Sequence, residues 1–249
     1  MNKNLGVVVP CANPAVEPEI HALVPTGYFP YITRLPFYSD LDMSARLNKY
    51  VGDLPDSIDR LKGLDISGVL VACTGSSYPL GIDGDKQWTD NASKQLGKPV
   101  VSAAGSVLKV LKLLNAHELI VISPYPSWLT EQLSAYWKSA GFTINELIEI
   151  DKSGTIYDLT ADGVLEALKI ALSKNASNGN QVLLIAGTGV PSLAPIESIL
   201  DSFDIPIVTS QIAGVWNLFS SSHLRDEIQN SPSAALRKLD QQIKQRAQK

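Results

Sequence analysis

Cysteine and histidine are scarce in this chain: its 249 residues include two of the first and three of the second. Cys11 and Cys73 cannot build a disulfide framework, so a reducing, cytoplasmic setting is expected. His21, His117 and His223 are scattered, and no ligand spacing suits zinc, so no metal is expected. Long apolar runs are missing too. None approaches the roughly 20 residues that span a bilayer, so no membrane partner is expected. Met1-Asn2-Lys3-Asn4 leads straight into a short β-like run rather than a secretory leader. Basic residues are not in excess. The formal net charge of −4 argues against a nucleic-acid surface, which needs a concentrated basic patch. There is no Walker loop and no Gly-x-Gly-x-x-Gly sequence after a strand.

What is present reads as a globular α/β enzyme, with 45% hydrophobic and 18% charged residues. Short β-branched runs recur at Leu5–Val9, Val69–Ala72, Val100–Ser102, Leu119–Ile122, Val182–Ala186 and Ile205–Thr209, with weaker candidates at Tyr28–Arg34 and Thr143–Ile150. Their continuous apolarity suggests parallel strands covered on both faces. Helical periodicity lies between them, at Leu54–Leu64, Asp85–Leu96, Ser106–Leu114, Ser127–Ala140, Thr160–Ser173 and Pro195–Ser202. Alternation of the two signals implies βαβ units.

The pattern occurs twice. Val7-Val8-Val9-Pro10-Cys11 matches Val121-Ile122-Ser123-Pro124-Tyr125, and Gly68–Ser77 matches Gln181–Val190. The expected fold is therefore two pseudo-symmetric lobes, each a short, mainly parallel four-stranded sheet flanked by helices, with the active site between them. Residues 1–103 with 210–249 form one lobe and residues 104–209 the other. The tail from Ala213 closes back on the first lobe, and its charged end, Ala234–Gln248, reads as a solvated helix.

Ligands of parallel α/β sheets collect at the carboxyl ends of strands, which here means the turns Pro10–Pro14, Cys73–Ser77, Pro124–Ser127 and Gly187–Ser192. Cys73-Thr74-Gly75-Ser76-Ser77 stands between a buried-type strand and an expected helix. Amides and hydroxyls there would hold a carboxylate and favour a thiolate at Cys73. A small buried hydrophobe at a strand end is the alternative for Cys73. Gly187-Thr188-Gly189 offers amides with nothing bulky in the way, either a second anion nest or a plain turn. Tyr125 could donate to a substrate carboxylate or simply pack. Asn13 could bind a carboxylate, cap a helix beginning at Pro14, or do both. Cys11 and Val190 could line the site. Tyr38, Tyr78 and Val190 could set its size.

Taken as a set, these motifs are identified with a known group. Gly6-Val7-Val8-Val9-Pro10 with Asn13 and Glu17, Ala72-Cys73-Thr74, Pro124-Tyr125, Gly189-Val190-Pro191-Ser192-Leu193 and the stretch from Ile205 to Trp216 carry the likeness. The chain resembles the maleate cis-trans isomerases and arylmalonate decarboxylases of the aspartate/glutamate racemase superfamily over nearly its whole length. The resemblance implies a pseudo-symmetric fold, a site between the lobes, no cofactor, and carboxylate-holding roles for Asn13, Thr74 and Tyr125. Racemases and isomerases of this group usually hold a cysteine in each lobe. Cys73 matches the first, while Gly187 stands where the second belongs; the decarboxylases resemble the opposite arrangement. The expected function is a cysteine-dependent isomerase of a small cis-enedioate, with Cys73 as nucleophile and Gly75, Ser76, Thr188 and Gly189 helping to bind substrate. The alternatives are a malonate-type decarboxylase with Cys73 as proton donor, an amino-acid racemase, and a non-catalytic carboxylate-binding protein. A homo-oligomer is left open.

Overall fold

The computed structural model describes residues 4–150, 156–174 and 179–248. Strand β1 (Asn4–Val9) is buried along all but its first residue, as its unbroken apolar run requires. It pairs in parallel with β2 (Phe29–Arg34) and with β3 (Val69–Val71), which pairs in parallel with β4 (Val100–Ser102). The second sheet repeats the plan. Strand β5 (Glu118–Ser123) pairs in parallel with β6 (Thr143–Glu149) and β7 (Gln181–Ile185), and β7 pairs in parallel with β8 (Ile207–Thr209). The strand orders, 2-1-3-4 and 6-5-7-8, are the same walk taken twice. Parallel strands cannot be joined by tight hairpins, so each connection crosses over through a helix or an extended loop.

The helices are α1 (Val16–Leu23), α2 (Met43–Asp59), α3 (Gly81–Leu96), α4 (Ala103–Leu113), α5 (Ser127–Ser139), α6 (Ala161–Lys174), α7 (Leu193–Ser198), α8 (Ser210–Ser221) and α9 (Ala234–Arg246). Helices α3, α4 and α7 begin two to four residues before their expected starts, and two others depart further. Helix α2 begins at Met43 rather than Leu54, because Asp42 caps it by accepting the Ala45 N–H, and it carries Pro55 inside. Helix α9 is not merely solvated. Ala235, Leu236, Leu239 and Ile243 recur on one face and are buried, with Asp240 buried among them.

One apolar cluster runs through both lobes, from Val7 and Leu70 to Leu119 and Ile122, and includes Trp137 and Trp216. Burying one such aliphatic side chain stabilises by roughly 1.5–3 kcal/mol. A second cluster packs Val8, Val69 and Val71 against Tyr50, Leu54 and Ile58 of α2, and holds Cys73. Helix α8 lies on β3 so closely that a side chain at Gly214 would collide with Leu70. Helix α9 rests on the α7 region: Ser233 donates to Glu197, and Lys238 donates to the carbonyl of Phe203. No described helix is long and apolar enough to cross a membrane.

Candidate active site

The turns that follow β1, β3, β5 and β7 meet around a small cavity, lined among others by Asn13, Cys73, Thr74, Tyr125, Thr188 and Gly189. Hydrogen bonds between lobes fix them. Asn13 Oδ1 accepts the N–H groups of Ala15 and Val16 at the start of α1, leaving its amide free to donate to Thr188 Oγ1 across the gap. The Thr188 hydroxyl donates to the Ala72 carbonyl, and Gln211 of α8 donates to the Thr188 carbonyl. Thr74 and Ser210 share a hydroxyl–hydroxyl bond of 2.9 Å. Asn13 thus caps and bridges at once, and the Thr188 side chain is spent on holding the walls.

Cys73 is buried at the cavity. The helix expected directly behind it starts only at Gly81, after a run of turns from Thr74. The expected thiolate field of a helix N-terminus is therefore absent from Cys73. Burial pushes its pKa above the ordinary value; Ser76 donors and the Arg46 charge pull the other way, and the Cys11 thiol adds to the rise. Ser76 itself is tied back, its hydroxyl donating to the Cys73 carbonyl.

The opposite wall is not bare. Gly187 has φ +86°, a left-handed conformation that glycine adopts freely, and a Cβ there would lie 3.0 Å from the Tyr125 hydroxyl and 3.1 Å from Pro124. At Gly189 a Cβ would meet the Tyr157 ring at 3.1 Å. Two tyrosines thus occupy the room that the small residues leave, correcting the expectation of unobstructed amides. The Tyr125 turn is clamped from α5, where Thr130 donates to the Tyr125 carbonyl. Burial and the nearby Cys73 raise the pKa of both phenols, Tyr157 to about 12, so both are donors at neutral pH.

The remaining wall comes from α2, where Met43, Arg46, Leu47 and Tyr50 share one face at helical spacing. Leu47 presses on Gly75, where a Cβ would stand 3.1 Å from it. The sequence reading missed this face, together with Leu129, Ile156 and Tyr157. Its signal was the 43/46/47/50 stripe, hidden by the late start assigned to the helix.

Other expected residues fall outside the lining. Val190 is fully buried core, and Tyr78 is buried edge-on to the Tyr125 ring. Cys11 lies beside Tyr50, its Sγ 3.2 Å from the hydroxyl, on the same lobe as Cys73. It cannot supply a second wall. Tyr38 donates to Asp53 away from the cavity. His21, His117 and His223 are exposed and line no part of it. Among the described residues no group of His, Cys, Asp and Glu is arranged to hold a metal.

A family model described as arylmalonate decarboxylase matches residues 5–233. The maleate isomerase of Geobacillus stearothermophilus is 22% identical over 244 residues, covering 92% of this chain and 95% of its own. That of Nocardia farcinica is 25% identical over 234 residues, covering 89% and 91%. A solved Nocardia farcinica maleate cis-trans isomerase with a covalently bound succinylcysteine intermediate has a TM-score of 0.80 at 22% identity, over 95% of this chain and 98% of that one. A liganded arylmalonate decarboxylase, in which one glycine is replaced by cysteine and one cysteine by serine, has a TM-score of 0.74 at 18% identity, over 88% and 92%. A match along so much of the chain, on the two-sheet fold described above, shows that it belongs to the arylmalonate decarboxylase family of enzymes.

Proposed function

We propose that the chain is a cofactor-independent isomerase of a small cis-enedioate such as maleate, acting through a covalent adduct on Cys73. The observation that carries the reading is a cysteine on a small cavity between the lobes, faced by the tyrosine donors of the other lobe. The Cys73 thiolate forms a bond from Sγ to one alkene carbon, and the π pair moves onto the neighbouring carbon and its carboxylate as an enediolate. The former double bond is now single and rotates. The pair then restores the double bond, the S–C bond breaks, and the trans product leaves the thiolate as it began. In this reading the amides of Thr74, Gly75 and Ser76, with the Tyr125 hydroxyl, hold carboxylate charge as it builds; that Thr74, Gly75 and Tyr125 line the cavity supports it. Asn13, Thr188 and Gly189 fix the geometry of the other side, and Gly187 gives Tyr125 its room. The lobes doing this are residues 1–103 with 210–249, and 104–209. The maleate isomerase relatives support the substrate class, and the succinylcysteine adduct of the Nocardia enzyme supports the covalent step.

One observation favours a second reading. Burial keeps the Cys73 thiol protonated, which suits a proton donor. In a malonate-type decarboxylase, loss of CO2 leaves an enediolate, and Cys73 would protonate it from the face opposite to that used by enzymes with the second cysteine. Racemisation is disfavoured, because a proton exchange on both faces needs an acid/base group on each wall. Gly187 supplies none, and both tyrosines are held as phenols.

NMR of maleate, an arylmalonate and an amino acid in deuterated buffer separates the readings in one experiment. Isomerisation of maleate, lost in Cys73→Ala and largely kept in Cys11→Ala, is the expected result. CO2 loss from the malonate alone would establish the second reading. Retained activity in Cys73→Ala would refute both.

A further inference from the structure

Arg46 projects from α2 into the cavity wall among Met43, Leu47 and Tyr50, and its charge is felt at Cys73, Tyr50 and Tyr157. Among the described residues its side chain makes no hydrogen bond or ion pair. The acids nearest to it along the helix are engaged elsewhere: Asp42 caps Ala45, and Asp53 holds Tyr38 and Lys49. The other arginine near the turns, Arg34, is saturated by Glu17 and by the Cys11 carbonyl. Among the described residues no Asp or Glu lines the cavity. A half-buried guanidinium without an anion has lost part of its hydration and gained nothing in return, which an incoming carboxylate would repair through a two-pronged bond.

We infer that Arg46 is the specificity residue of this site, binding a second carboxylate of the substrate away from the one cradled at the Cys73 turn, so that the site selects small dianions over monoanions. This rests on the proposed function for the identity of the cavity as a substrate site. It goes further by making charge count, rather than size, the sorting rule. The apolar neighbours Met43 and Leu47 exclude water from the pair and strengthen it.

The test reads equilibrium binding rather than turnover. The full chain is alkylated with iodoacetamide, modification of Cys73 is followed by peptide mass mapping, and protection is titrated with succinate and with its monomethyl ester, neither of which can isomerise. The wild type should be protected by succinate at concentrations at least tenfold lower than by the monoester. In Arg46→Met that preference should fall to within about twofold, and Arg46→Lys should keep an intermediate preference. Thermal unfolding checks that each variant is folded; should Arg46→Met not fold, Arg46→Gln takes its place. Equal protection by both compounds in the wild type, or an unchanged preference in a folded Arg46→Met, would overturn the inference. A wild type that favours succinate through Arg46 yet leaves maleate unchanged in the NMR assay would sink the isomerase alone.

Discussion

A free cysteine is about a few per cent thiolate at pH 7. Cys73, buried and helped only by the Ser76 donors and the Arg46 charge, holds less. Its alkylation in the ligand-free protein should be about tenfold or more slower than that of a free thiol at pH 7, and should climb as pH rises beyond the ordinary thiol range. A rate equal to that of free cysteine at neutral pH would show that Ser76 and Arg46 outweigh burial. The same pH rise should appear in kcat/KM if the thiolate attacks, and a fall over that range if the neutral thiol donates a proton. Gly187 makes a different demand. Gly187→Ala places a side chain on a left-handed backbone against Tyr125, and should cost about 1–3 kcal/mol in chemical denaturation. Cys73 and Tyr125 were legible as site residues because each sits in an unusual turn after a buried strand. Arg46 and Tyr157 were not. An arginine on a polar-looking helix and a tyrosine in a loop acquire meaning only when folding turns them inward.

Helix α1 joins the lobes at two points. Asn13 caps its start while donating to Thr188, and Glu19 in its middle reaches the Ser192 and Leu193 N–H groups at the head of α7. Asn13→Ala should cost about 1–2 kcal/mol, whereas Asn13→Asp should keep the cap and lose the donation to Thr188. Burial raises the Glu19 pKa from 4.5 to about 7, against the pull of those N–H groups. Because the folded-state pKa is the higher one, the carboxyl contributes stability below about pH 4.5, and that contribution is lost as pH rises through about 7. Glu19→Gln keeps an acceptor for α7 but does not titrate. The melting temperature of the wild type should therefore decline relative to that of Glu19→Gln between those two pH values. Parallel curves would show that Glu19 ionises in the folded protein as it does in the unfolded chain. The inner strands were readable because buried parallel strands are continuous apolar runs, whereas β2 and β6, half exposed, gave only a weak signal. Helix starts were less readable: the Asp42 cap was passed over, and the front of α2 went with it.

For the molecule as a whole, the doubled strand order follows from a sequence pattern that repeats, and the repeat could be read directly. That the C-terminal segment folds back was expected as well, but the buried face that holds α9 down was not. Asp240, fully buried on a helix that looks solvated, accepts from Trp216 and Arg225 and pairs with Lys244, tying α9 to α8. Asp240→Ala should strip these groups of their acceptor and lower global stability by about 3 kcal/mol, read as one cooperative transition at lower denaturant. Two separate transitions would mean that α9 does not couple the lobes. Charge count marks a helix as exposed unless the charged residue has its partners folded around it, and the neighbours of Asp240 come from a separate stretch of chain.

The Tyr125 hydroxyl stands where a side chain at 187 would begin, and this constrains how the chain can change by single substitutions. A cysteine placed at 187 alone meets a phenol and a strained backbone together. The two positions are therefore expected to be coupled in stability: Gly187→Cys combined with Tyr125→Phe should cost less than the sum of the two single substitutions.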